Sequence, residues 1–247
     1  HPYQNWKATM ILSLKNVSKS FGALTVADDV TLDVPHGRAL GVIGPNGAGK
    51  STLFNLITGN MRADHGSIYF EGCDVTTASP MERCLAGIGR SFQIPQPFEK
   101  LTVFENLVVA ATNGRNLTEA AVLDDCAEIL QRTELLGRAN ILAGRLSLLE
   151  RKRLELSRAM ATQPKLLLLD EIAGGLTEGE CKALIQTIRD IHLQGVTIIW
   201  IEHVLYALTS FVEQLAVLNF GKIISVGSPE QIMASKEVQE IYLGIEV

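Results

Sequence analysis

The octet Gly44-Pro45-Asn46-Gly47-Ala48-Gly49-Lys50-Ser51 constrains this chain more than any other stretch. It has the spacing Gly-x-x-x-x-Gly-Lys-Ser/Thr, in which glycines let successive amides turn inward around an anion with no Cβ in the way. Lys50 brings a cation to the outer phosphates, and the Ser51 hydroxyl is an oxygen ligand for Mg²⁺. The mechanism also needs a buried strand before the loop and a helix after it. Ala39–Ile43 is such an apolar run, and Leu53, Phe54, Leu56 and Ile57, closed by Gly59, predict a helix over Ser51–Thr58 with its positive end at the phosphates. Thr52, in that first turn, completes the predicted binding set. The octet predicts a bound nucleotide.

The surrounding pattern reads as α/β. Val30, Leu32 and Val34 alternate with polar residues as in a half-buried strand. Ala39–Ile43, Leu166–Leu169 and Val196–Ile201 are nearly unbroken apolar runs, expected of strands covered on both faces. Leu215–Leu218 and Lys222–Val226 flank Asn219-Phe220-Gly221 as a hairpin. From about Pro95 to Gln163 helical signals take over. Thr102 and Glu105 form a capping box, and Ala120–Leu136 has apolar residues at helical spacing. The expected organisation is one domain over 10–247, with an α/β core of 10–94 and 164–247 interrupted by a helical unit of 95–163. Met10 reads as a natural start, so residues 1–9 are set aside as a remnant or disordered segment.

Two further strands end in chemistry. Leu166–Leu169 runs into Asp170-Glu171, which places one carboxylate near a metal and the next near an attacking water. Ile198–Ile201 runs into Glu202-His203, where His203 is either a sensor of the γ-phosphate or a satisfied edge histidine.

Composition excludes other classes. Lys and Arg number 22 against 27 Asp and Glu, a net charge of −5 that argues against a general nucleic-acid binder. No apolar run exceeds five residues, whereas a bilayer span takes about 20, so the chain is not expected to cross a membrane by itself. The four cysteines make no Cys-x-x-Cys pair and read as small buried residues in a reducing compartment. The five histidines lack His-x-x-x-His spacing, which argues against a transition-metal site.

Taken in order, these motifs resemble the ATP-binding subunits of ABC transporters from Met10 onward. Gly44–Ser51 is similar to Walker A, Leu166–Glu171 to Walker B, Ser91-Phe92-Gln93 to the Q-loop and Ile201-Glu202-His203 to the switch-histidine region. The resemblance implies a P-loop NTPase core with an antiparallel β subdomain and an inserted helical subdomain. It implies ATP and Mg²⁺ as cofactors, Ser51, Gln93 and Asp170 as metal ligands, and Glu171, His203, Gln93 and Lys50 as catalytic. It also implies that Phe21 stacks on adenine, although a core aromatic at a strand end is the competing reading. Gly89–Gln93, Ala173–Thr177, Ile201–Val204 and Ile241–Gly244 look most like the branched-chain amino acid importer group. That group implies permease subunits, a solute-binding protein, and a peripheral place on the cytoplasmic face of the bacterial inner membrane.

Two segments depart from the family. Its signature Leu-Ser-Gly-Gly-Gln is here Leu146-Ser147-Leu148-Leu149-Glu150, and its D-loop has Thr177 in place of an acidic or amide residue. Leucines remove the close backbone approach that glycines give, and Glu150 brings negative charge toward a partner's phosphate. Ser147 is either a contact to that phosphate or the cap of its own helix, since Ser147-x-x-Glu150 is a capping box. The altered lending surface beside an intact own site implies pairing with a homologous but different ATPase subunit. A subunit with little turnover of its own and a soluble ABC ATPase are the alternatives. Arg151-Lys152-Arg153 and Arg158 read as a solvated basic face.

Overall fold

The structure, a computed structural model, describes residues 9–243. Residues 1–8 of the segment set aside above, and Gly244 of the C-terminal motif, lie outside the described residues. The chain runs β1 (Met10–Phe21), β2 (Leu24–Pro35), β3 (Ala39–Ile43), α1 (Lys50–Thr58), β4 (His65–Phe70), β5 (Cys73–Asp74), α2 (Pro80–Ala86) and β6 (Ile88–Arg90). Three helices follow: α3 (Val103–Arg115), α4 (Leu123–Arg132) and α5 (Leu148–Ala161). Then come β7 (Leu166–Asp170), α6 (Glu178–Leu193), β8 (Thr197–Ile201), α7 (Leu205–Thr209), β9 (Gln214–Asn219), β10 (Lys222–Gly227), α8 (Pro229–Met233) and α9 (Lys236–Leu243).

One sheet is antiparallel, in the order β2-β1-β4-β5; the other has six strands in the order β10-β9-β3-β8-β7-β6. In the larger sheet only β10 returns antiparallel, on β9. Every residue of β3, β7 and β8 is buried. The period of two sorts them between two cores. Leu166 and Leu168 pack with Leu53, Phe54, Leu56 and Ile57 of α1 and with Leu12, Leu14 and Val30 of the antiparallel sheet. Leu167 and Leu169 pack instead with Leu184, Ile185 and Ile188 of α6. A third cluster, with Val103, Leu107, Cys126, Leu130 and Leu154, is built from α3, α4, α5 and the segments that join them.

The helical spacing over Ala120–Leu136 does not correspond to one continuous helix. The segment consists of a 3₁₀ turn at Glu119–Ala121, then α4, then a second 3₁₀ turn at Leu136–Arg138. Glu134 turns left-handed at φ 58°, and the Leu135 N–H returns to the Leu130 carbonyl at 2.8 Å. The apolar spacing survives the break because Leu130 and Leu135 share one core. The expectation for cysteine also needs correction: Cys126 and Cys181 are buried, but Cys73 is exposed.

Parallel pairing brings the carboxyl ends of β3, β6, β7 and β8 to one edge, with Val42 and Asp170 both opposite Ile201 and Arg90 opposite Leu168. The β9–β10 hairpin braces that edge. At its tip the Gly221 N–H donates to the Ala48 carbonyl at 2.8 Å, and the Asp28 N–H donates to the Gly221 carbonyl at 2.9 Å. Gly221 has φ 76°, and a Cβ there would come within 3.0 Å of the Val26 carbonyl.

Candidate functional site

The loop after β3 forms a cradle. Gly47 and Gly49 have φ 81° and 104°, conformations that glycine alone adopts without strain. A Cβ on Gly49 would also meet the Val26 carbonyl at 2.7 Å. Gly49 is the N-cap of α1 and contributes no side-chain cap, so the first-turn amides of Lys50, Ser51 and Thr52 have no partner within the helix. These residues, with Asn46, Leu24 and Val26, line an open cleft of about 380 Å³ that Glu171 also borders. Lys50 is buried, and its ammonium donates to the Gly44 carbonyl at 2.6 Å and the Pro45 carbonyl at 3.1 Å. Burial holds its pKa below the usual lysine value, with the charges of Glu171 and Asp170 opposing the shift.

Glu171 sits where three loops meet. Its carboxylate accepts from Gln93 Nε2 at 2.5 Å and pairs with His203 Nε2 at 2.7 Å. Its backbone is left-handed at φ 46°, a conformation that costs an L side chain roughly 1–2 kcal/mol. The bond from its N–H to the Ile201 carbonyl, 2.8 Å, holds it there. Asp170, one residue earlier, is buried and accepts from Arg90 Nη2 through Oδ2 at 2.6 Å. Among the described residues no cluster of three or more His, Cys, Asp and Glu forms a protein-only metal cage. Hydroxyl and carboxylate oxygens beside an uncapped helix start instead suit a hard cation that arrives with phosphate oxygens. The residues present therefore fit magnesium and a triphosphate.

Phe21 is exposed at the end of β1, so it is not a core aromatic; the Lys19 ammonium lies 5.3 Å from its ring centre, and Leu24, its partner across the β1–β2 turn, lines the cleft. The Ser147 hydroxyl accepts from the Glu150 N–H at 3.3 Å, while the Glu150 carboxylate accepts from the Ser147 N–H at 2.9 Å and from Arg138 Nε at 2.8 Å. Thr177 caps α6 in the same way with Glu180. The basic run is not the expected solvated face. Lys152 and Arg153 are buried, Arg153 pairs with Glu134 at 2.5 Å, and Arg158 pairs with Glu155 at 2.6 Å. For Arg153 the acid comes from another segment, and for Arg158 from one turn earlier on α5.

Glu202 has a structural part that its sequence position does not reveal. It is buried, and it accepts from the Ala173 N–H at 2.6 Å and from the N–H groups of His203 and Val204 at 3.1 and 3.4 Å. It thereby ties the segment after Glu171 to the segment that carries His203. Burial pushes its pKa up, and the three amides oppose that shift. A raised native pKa gives stability that is complete below the ordinary glutamate value and lost as pH rises through the native one. The stability advantage of the chain over a Glu202→Gln variant, read from urea unfolding, is therefore expected to shrink as pH rises across that window. A constant or growing advantage would contradict the assignment.

The family model described as ABC transporter matches residues 27–174. The chain belongs to the ABC transporter family. Among ABC relatives, a Methanocaldococcus jannaschii protein named "Probable branched-chain amino acid transport ATP-binding protein LivG" is 34% identical, over 95% of this chain and 97% of its own length. The lipopolysaccharide export system ATP-binding protein LptB of Haemophilus influenzae is 33% identical, over 95% and 97%. A solved ATP-binding cassette of an ABC transporter in its ADP conformation superposes with a TM-score of 0.88 at 33% identity, covering 96% of this chain and 99% of its own. The architecture is thus that of an ABC ATPase. Arg90 and Glu202 are the site-edge residues that motif reading passed over, since their partners Asp170 and Ala173 lie 80 and 29 positions away.

Proposed function

We propose that this chain binds ATP with Mg²⁺ at the start of α1, hydrolyses it, and so powers import of branched-chain or related amino acids through membrane permease subunits. The observation that carries this reading is the Glu171 carboxylate held between Gln93 and His203 beside the Lys50–Ser51 cradle. Lys50 and the non-proline amides of 44–52 bind the phosphates, Ser51, Asp170 and Gln93 would hold the metal, Glu171 accepts the proton of the attacking water, and His203 fixes the γ-phosphate. When bound, magnesium would supply neutralisation of the phosphate charge. Such chemistry needs positioning and electrostatic stabilisation more than covalent help, which suits a site of amides, one lysine and acids.

Residues 10–94 and 164–247 serve as the catalytic core and 95–163 as the unit that passes motion outward. Support comes from the separate core of α3, α4 and α5. Phe92, Gln96 and Arg158 line a groove beside α2, and exposed Met81, Leu85, Ile94 and Phe98 lie on the segments that border it. These face the permease, on the cytoplasmic side of the bacterial inner membrane. Among the described residues no helix is long and apolar enough to cross a membrane. The names of relatives favour amino acids, and the LptB relative makes lipopolysaccharide export the competing task.

Within the transporter, the chain pairs with a homologous but different ATPase subunit. Support for a different partner is the α5 start, where exposed Leu148 and the acid Glu150 stand in place of open glycine backbone. The test is calorimetry with ATP and Mg²⁺ on the purified chain, followed by turnover alone and with the partner and permease subunits. Uptake of about one nucleotide, lost in Lys50→Ala, with turnover that rises on adding the partner, is the expected result. Absence of nucleotide uptake by the folded chain would overturn the proposal. Equal turnover at both sites of a homodimer, at full rate, would overturn the mixed pair.

A further inference from the structure

We infer that Arg90 is a positioning residue that sets Asp170 against α1, and thereby fixes the distance between two of the three protein oxygens expected to hold magnesium. The inference rests on reading Ser51 and Asp170 as those ligands. Arg90 closes β6, opposite Leu168 of β7, so its side chain leaves the sheet beside the end of β7. One guanidinium nitrogen donates to Asp170 Oδ2 at 2.6 Å, and the other donates to Asn55 Oδ1 at 2.7 Å. Asn55 stands four positions after Ser51 on α1, on the same helix face. A single planar group therefore spans from the acid at the strand end to the helix that carries the hydroxyl.

The plane itself is held. Its carbon lies 5.5 Å from the ring centre of Phe54 and 5.0 Å from that of Phe92. Both members of the ion pair keep only 9% of their side-chain surface exposed. An aromatic pair around a buried, forked cation suits holding two acceptors at a set separation. Lysine brings the charge but offers one compact ammonium in place of two rigid N–H arms. The pair engages Oδ2 of Asp170 and leaves Oδ1 outside it. Outer partners of this kind that orient a metal ligand are typically worth about 10–100-fold in metal affinity.

The test is calorimetric binding of ATP to the intact chain, in EDTA and along a Mg²⁺ titration, for the unaltered protein, Arg90→Lys, Asn55→Ala and Asp170→Ala. In EDTA all four should bind ATP alike. The Mg²⁺ concentration giving half of the metal-dependent gain should rise about tenfold or more in Arg90→Lys, and in the same direction but less in Asn55→Ala. Asn55→Ala keeps the buried ion pair, so it reports on position even where Arg90→Lys fails to fold. A folded Arg90→Lys or Asn55→Ala with an unchanged or lower Mg²⁺ requirement overturns the inference while Asp170→Ala still abolishes the gain. If Asp170→Ala leaves the gain intact, the metal site itself is misassigned, and the inference falls with it.

Discussion

Glu171→Gln should bind ATP as well as the unaltered chain does yet release phosphate about 10²–10⁴-fold more slowly, the range by which a positioned general base speeds proton transfer. The carboxylate is placed for that task by three independent elements. Gln93 reaches it from the loop after β6 at 2.5 Å, His203 from the loop after β8 at 2.7 Å, and its own N–H is fixed on Ile201. Glutamine keeps the shape and one accepting oxygen while removing the basic one. Nucleotide affinity should persist because Lys50 and the loop amides do not depend on Glu171 for a hydrogen bond. Steady-state phosphate release and calorimetry, run on the same preparation, separate the two effects. Turnover within about twofold of the original would remove Glu171 from the role.

The largest effect on stability should come from a residue outside the cleft. Arg83→Met is expected to cost about 3–5 kcal/mol, because four backbone carbonyls lose their charged donor at roughly 1 kcal/mol or more each. Arg83 is 1% exposed and uses its donors on backbone carbonyls. Nη1 donates to Leu56 and Ile57 at 2.7 and 2.9 Å, Nη2 to Thr76 at 3.0 Å, and Nε to Ala78 at 3.1 Å. Leu56 and Ile57 are in the last turn of α1, where the helix leaves carbonyls short of donors and Leu56 otherwise receives only a long bond, 3.4 Å, from the Gly59 N–H. The guanidinium thus caps the far end of the helix that begins at the phosphate loop, and a cation there also suits the helix dipole. Burial holds its pKa below the usual arginine value, with Asp74 opposing. Thermal unfolding followed by circular dichroism should show a midpoint lowered by roughly 10 °C. A drop of about 2 °C or less would show that water or neighbouring donors replace the guanidinium.

The contrast between these residues shows what the sequence made legible. The cradle, the boundaries of α1 and the capping boxes at Thr102 and Ser147 were readable because each depends on residues within a few positions of one another. Asp170, Glu171 and His203 were readable because unbroken apolar runs mark central strands and a parallel sheet gathers their ends. Arg83, Arg90 and Glu202 were not, since the partners of Arg83 Nη1 lie 26 and 27 positions away, that of Arg90 lies 80 away, and that of Glu202 lies 29 away. The same limit misled the reading of Lys152 and Arg153. A run of cations looks solvent-facing until the fold delivers Glu134 to Arg153 and brings Lys152 near Glu202 and Glu171. The break at Glu134 escaped notice because hydrophobic spacing reports which residues share a core, not whether the backbone between them stays helical.

The hairpin tip at Gly221 has a consequence for how this protein tolerates change. The two bonds that clamp it to the phosphate loop and to β2 join main-chain atoms only. Its neighbour Phe220 is 84% exposed, so its side chain can change with no loss of packing, within what a left-handed backbone of φ 45° allows, while the clamp stays in place. The contour of the cleft is thus insured against drift in the residues around it, save at Gly49 and Gly221, where any side chain would wedge the small sheet away from the loop.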